Sequence, residues 1–189
     1  MKKWLLTLGL ALLASPCWAA SPWKIDPNHS AAQFVVRHLG ISSVRGQFTK
    51  VEGSLELDEE DVGKSSVSVT VPTDSVDTRV PARDADLRSD HFFDVAKYPT
   101  MTFKSTRIVR APDGRLQMSG DLTLHGVTHA VTFEVDGPSE AISGPGGKAR
   151  RGASASATIK RSDFGMNYLQ GPVSDEVGIT IDVEFVKQP

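Results

Sequence analysis

The chain has 189 residues, 21 lysines and arginines against 23 aspartates and glutamates, one cysteine and 39% hydrophobic residues. That is one domain's length, a charge too balanced to attract nucleic acid, and a thiol count that excludes an intrachain disulfide framework. The 16 glycines and 11 prolines lie close to the roughly 12% of average usage, which excludes collagen-like and low-complexity chains and leaves a packed core as the source of stability.

Lys2 and Lys3, the apolar run Trp4–Ala14 and the small-residue site Cys17-Trp18-Ala19 form the three-part pattern of a secretory signal peptide cut after Ala19. The apolar run is shorter than the roughly 20 residues a bilayer span needs. Pro16 stands where a lipoprotein box carries a small residue, which argues against a lipid anchor on Cys17. The expected organisation is a cleaved leader over 1–19 and an exported, cysteine-free domain over 20–189.

Alternation of apolar with other residues, the mark of strands with one buried face, runs through nearly all of that domain. The first strand has Ala32, Phe34, Val36 and His38 on one face. The second, Val44–Leu57, changes parity between Phe48 and Val51, which predicts a bulge near Thr49–Lys50. The third carries Val67, Val69 and Val71. The connection Pro72–Pro99 predicts a short helix over Pro81–Arg88 with proline in its first turn, followed by two aromatics, Phe92 and Phe93. A fourth strand holds Met101 and Phe103, and a fifth Leu116, Met118, Leu122 and Leu124. The sixth holds Val131, Phe133 and Val135, the seventh Ala153, Ala155, Ala157 and Ile159, and the eighth Val177, Ile179, Ile181, Val183 and Phe185. Pro112-Asp113-Gly114 and His125-Gly126 supply turns, and Gly144–Lys148 a surface loop. Eight short strands with tight turns specify an all-β domain, either a two-sheet sandwich or a closed antiparallel barrel, and periodicity does not choose between them.

Several segments, in order, resemble one known group. They are Asp26-Pro27-Asn28-His29-Ser30, Phe34-Val35-Val36-Arg37-His38, Val44-Arg45-Gly46-Gln47-Phe48, Asp77-Thr78, Arg83–Ser89, Phe92-Phe93-Asp94, Tyr98–Phe103, Gly120–Gly126 and Asp163-Phe164-Gly165-Met166. Together they span the domain and resemble the YceI-like family of exported, lipocalin-like polyisoprenoid-binding proteins. In one position the chain departs from the group: Asp86 stands where a histidine is frequent, which bears on contacts to a ligand's polar end. The resemblance implies an eight-stranded antiparallel lipocalin-like barrel with the short helix between strands three and four, an elongated apolar lumen, and a long isoprenoid, isoprenoid quinone or similar lipid inside. It also implies a periplasmic setting, a stress-related role and transient membrane contact, with monomer and homodimer both open.

Parity and resemblance together assign Phe34, Val36, Phe48, Val69, Met101, Phe103, Leu122, Phe133 and Ile179 to the interior, and Phe92, Phe93, Phe164 and Met166 to the mouth. His38 shares the parity of Phe34 and Val36. For His29 and His38 a buried, hydrogen-bonded imidazole is expected ahead of a head-group contact, because an unpaired buried polar group costs roughly 2–7 kcal/mol.

The remaining motifs carry little chemistry. His125 and His129 have the spacing of a helical zinc pair but flank a turn, so turn or surface histidines are expected and no metal or other cofactor is assigned. No Gly-x-Ser-x-Gly elbow occurs, and Asp163-Phe164-Gly165 lacks the other kinase motifs. Arg83, Asp84, Asp86 and Arg88 read as a solvated face, with fixing of a lid over the mouth as the alternative. The expected function is lipid binding without catalysis. The alternatives are a filled β-sandwich that acts through its surface and, less favoured, a lipid hydrolase.

Overall fold

The computed structural model describes residues 21–189; the expected leader over 1–19, with Cys17, lies outside the described residues. The described chain forms strands β1 Ser21–Ile25, β2 Ala31–His38, β3 Ser42–Phe48, β4 Glu52–Leu57, β5 Ser66–Pro72, β6 Val76–Asp77, β7 Thr100–Arg110, β8 Leu116–Leu124, β9 Val127–Asp136, β10 Ile142–Ser143, β11 Ala149–Lys160 and β12 Glu176–Lys187. It also forms one α-helix, α1, Pro81–Arg88.

The sheet closes. Going round, β12 pairs with β11, then come β9, β8, β7, β5, β4 and β1, and β1 pairs back onto β12. β1 and β2 lie end to end along one edge of β12, Trp23–Ile25 against Phe185–Lys187 and Ala31–Val35 against Gly178–Asp182. β3 and β4 continue each other beside them in the same way. The wall therefore has eight antiparallel positions, and of the two architectures the sequence left open it is the barrel, whose closure removes exposed sheet edges.

Both interruptions have local causes. Between β1 and β2, Asp26 caps a short 3₁₀ turn by accepting from the Asn28 amide at 3.0 Å, and Pro27 has no N–H to give to a ladder. The Asp26 carboxylate also accepts from Arg150 at 2.8 Å and faces His29 Nδ1 at 3.1 Å; Arg150 bonds Glu184 of β12 as well. Between β3 and β4 the break falls at Thr49–Val51, the place where inward parity passes from Phe48 to Leu55 and Leu57. A third irregularity, a register shift between Ser105 and Arg107, turns Ile108 inward instead of Arg107. That parity change hid the second half of β7 from the sequence. β1 was hidden by its length and by Pro22.

One end of the barrel is plugged. Trp23 is 1% exposed, the Arg151 guanidinium sits 5.3 Å over its ring, and Arg151 donates to the Ser139 carbonyl and to Glu59 at 2.8 and 2.9 Å. At the other end the Pro72–Pro99 connection carries α1 across the space beside β3, whose outer edge meets only β6, through Gln47–Asp77 and Phe48–Val76.

Candidate functional site

Inside the ring lies a cavity of about 440 Å³, within the roughly 300–1,000 Å³ of small-molecule sites. It runs the length of the barrel, from Val36, His38, Phe92 and Leu169 beside α1 to Leu57, Val62, Leu116 and Pro138 near the plug. An eight-stranded barrel can be filled by its own side chains or can hold one ligand, and β11 helps decide the matter. Its inward positions Ala153 and Ala155 pair with Val183 and Ile181 of β12, and both alanines are on the cavity wall. Methyl groups there leave open the volume that Leu or Phe would occupy.

Two glycines let aromatic rings lie flat against the wall. A Cβ on Gly46, opposite Phe34 in the ladder, would come within 2.3 Å of the Phe34 ring, and one on Gly120 within 2.5 Å of the Phe103 ring. Phe34, Phe48 and Phe93 form a chain of ring contacts at 5.8 and 5.5 Å, and Phe103 meets Phe133 edge-on at 5.1 Å.

Of the residues expected on the wall or at the mouth, Phe34, Val36, His38, Phe48, Val69, Phe92, Phe93, Met101, Phe103, Leu122, Phe133, Met166 and Ile179 all line this cavity. Phe164 does not. It is 1% exposed and lies edge-on to His129 at 5.3 Å, next to the place where β9 and β11 part after pairing only over Glu134–Asp136 and Ser154–Ser156. It fills the wall and leaves the mouth to its neighbour Met166. The buried-imidazole expectation for His29 and His38 is corrected: both are exposed, His29 on the Asp26 carboxylate and His38 at the rim end of β2. His125 and His129 direct ring nitrogens at the Phe164 and Asp163 carbonyls, at 3.2 and 2.9 Å, and so clasp the 161–164 turn.

The charged set on α1 is a clamp rather than a solvated face. Asp84 is buried and accepts from the Thr78 amide and hydroxyl at 2.9 and 2.5 Å. Arg83 donates to the Thr78 hydroxyl and carbonyl at 2.8 and 3.0 Å, and Arg88 donates to the Asp74 and Val76 carbonyls at 2.8 and 2.6 Å. Asp86 faces His91 Nδ1 at 2.7 Å. Thr78, Arg83 and Asp86 reach the cavity, as do His38 and Arg161, so the charged groups of a mostly apolar wall gather at the α1 end, with the hydroxyl of Ser65 at the other.

Across the opening, the loop 165–175 is organised by Arg161, which is 4% exposed. Its guanidinium donates to the carbonyls of Met166, Tyr168, Val173 and Ser174 at 2.6, 2.7, 3.2 and 3.0 Å. Burial lowers its pKa from the ordinary arginine value. Asp175 anchors the loop's far end by accepting from the Ser162 hydroxyl and amide at 2.8 and 2.9 Å, bonds that hold its carboxyl below the usual range. Nothing in the sequence pattern pointed to Arg161, because an inward arginine breaks the apolar parity by which core was read. Asp26, His29 and Glu184 also converge, but Arg150 already supplies the cation there.

A model of the YceI-like domain matches residues 23–185. Protein YceI of Salmonella heidelberg is 40% identical over 192 residues, covering all of both chains. The solved YCEI protein of Campylobacter jejuni is 31% identical with a TM-score of 0.67, over 81% of this chain and 90% of that one. A polyisoprenoid binding domain from Saccharophagus degradans shares the fold at 17% identity, with a TM-score of 0.66 over 88% and 98% of the two chains. A closed antiparallel barrel that keeps the whole motif series in order, matched from Trp23 to Phe185, belongs to the YceI-like family.

Proposed function

We propose that the protein binds one long-chain amphiphile, a polyisoprenoid, an isoprenoid quinone or a similar lipid, within the barrel, and serves as carrier, store or stress-related scavenger rather than as an enzyme. The observation that carries this reading is the continuous apolar cavity from the α1 end to the plug. Burial is worth about 0.8 kcal/mol per CH₂-sized group, so each five-carbon isoprene unit contributes roughly 3–4 kcal/mol before costs. Ordering the tail, and drawing it from an equally apolar bilayer, offset much of this, so shape and the polar end set the net affinity. Thr78, Arg83 and Asp86 would receive that polar end, with the tail toward Trp23. The name of the Saccharophagus degradans domain supports the isoprenoid class. The leader pattern over 1–19 supports export, to the periplasm where the cell has an outer membrane.

Native mass spectrometry after gentle purification is expected to show a retained hydrophobic adduct. Phe103→Arg, which puts a charge on the wall, is expected to abolish uptake of offered prenyl lipids while circular dichroism reports the β-fold. Apo mass alone, with no uptake by the unsubstituted protein, would overturn the reading.

A further inference from the structure

Among the described residues, six large apolar side chains are exposed, and five of them, Leu39, Ile41, Val80, Tyr168 and Leu169, belong to segments at the α1 end; Ile142 is the sixth. Leu39 and Ile41, 57% and 79% exposed, cap the β2–β3 turn. Tyr168 and Leu169 cap the loop that Arg161 organises. The two tips touch: the Leu39 amide donates to the Pro172 carbonyl at 2.7 Å and the Ser174 amide to the Arg37 carbonyl at 2.9 Å. Tyr168 stacks on His91 at 4.1 Å and meets Phe92 edge-on at 5.5 Å. Leu169 and Phe92 also line the cavity, so the exposed apolar rim runs without interruption into the lumen.

Leu39 and Leu169 share a second property: φ is 51° and 52°. Leucine is disfavoured in the left-handed region, where glycine or asparagine sits at less cost, and unusual backbone of this kind concentrates at functional sites. Each tip therefore holds an apolar side chain in water on a backbone that suits another residue better.

We propose that this rim docks on the surface of a phospholipid bilayer, setting the mouth against the phase that holds the ligand; the inference rests on the lumen reading above. The tips stand side by side, joined by those bonds, with Gly40 between Leu39 and Ile41 on one and exposed Tyr168 and Leu169 on the other. Tyr168 is of the type enriched at membrane–water boundaries. The charges that flank these segments in the chain are mixed, Arg37 and Arg79 against Asp77 and Asp90, so docking is driven by apolar insertion and needs no anionic lipid.

The test is flotation with neutral phosphatidylcholine vesicles, comparing proteins that carry the same N-terminal segment. The unsubstituted protein is expected to float at low and high salt. Leu39→Asn with Ile41→Ser is expected to lose at least about tenfold in partitioning, yet to melt no lower, because asparagine accepts the left-handed backbone. Ile142→Ser should float unchanged. Failure of the unsubstituted protein to float overturns the proposal, as does undiminished flotation of the double variant, or dissolution of a dimer by that variant with no flotation of either. Uptake of a short prenyl alcohol from solution separates the two readings. Its failure with flotation intact removes the lumen ligand and leaves the docking, while normal uptake with no flotation does the reverse.

Discussion

Arg161 spends its guanidinium on four backbone carbonyls, with no carboxylate among those partners. Truncating it leaves buried acceptors unpaired, at about 1–3 kcal/mol for each group that water does not reach. Arg161→Ala is expected to lower stability by about 3 kcal/mol or more, and Arg161→Lys, which keeps the charge without the planar fork, by an intermediate amount; chemical denaturation measures both. Asp26 acts in the opposite part of the pH scale. Hydrogen bonds from Arg150, then His29 and the Asn28 amide, hold its carboxyl at about 2, against about 3.9 in an unfolded chain. Because the folded form takes up its proton only at the lower pH, the stabilisation is complete above about pH 4 and disappears as pH falls toward 2. Asp26→Asn is therefore expected to cost about 1–2 kcal/mol at neutral pH, with the difference from the unsubstituted protein closing between about pH 4 and 2 in urea titrations. Single residues were legible where they kept parity: Phe34, Phe103 and Ile179 could be placed on the wall from position together with the family resemblance. The exceptions were set by partners distant in sequence. Phe164 is drawn into the gap beside β9 by His129, and His38 falls where the ladder ends.

The alternating segments fixed β2, β8 and β12 closely, because one buried face leaves a two-residue period that no loop imitates. α1 was read from proline in its first turn, and its limits agree with the structure. What its charges do could not be read, since Arg83 and Arg88 are spent on backbone carbonyls of the preceding segment, and a carbonyl leaves no trace in side-chain pattern. The break at Thr49–Val51 was legible from its parity change, whereas the shift at Ser105–Arg107 was not, because only Ile108 and Val109 follow it before the turn. β11 carries the most consequential choice of side chains. Ala155→Phe places a ring in open lumen rather than in a packed core, so it is expected to raise stability by about 0.5–2 kcal/mol while cutting prenyl-lipid uptake at least about tenfold, as read by thermal melting and by lipid titration. A fall in both would mean that the space beside Ala155 is already committed to the fold.

At the level of the molecule, the residues that stabilise the barrel and the residues that would hold a ligand are largely the same. Phe48, Leu55, Phe103 and Phe133 belong to the core and also line the cavity. A tail laid along the lumen would complete contacts the barrel leaves open, and occupancy would add to stability through ordinary mass-action linkage. The two halves of the wall differ in how they are joined. Near Trp23 the ladder passes from β12 through β1 and β4 to β5 without a gap. Near α1, β3 finds only the two pairs to β6, and β9 leaves β11 after three; side-chain clamps and wedges bridge what backbone does not. The vessel thus has a hooped base and a seamed collar: girth at the bottom is set by continuous hydrogen bonding, whereas at the neck it is set by side chains, Arg83, Arg88 and Phe164, that bridge the seams.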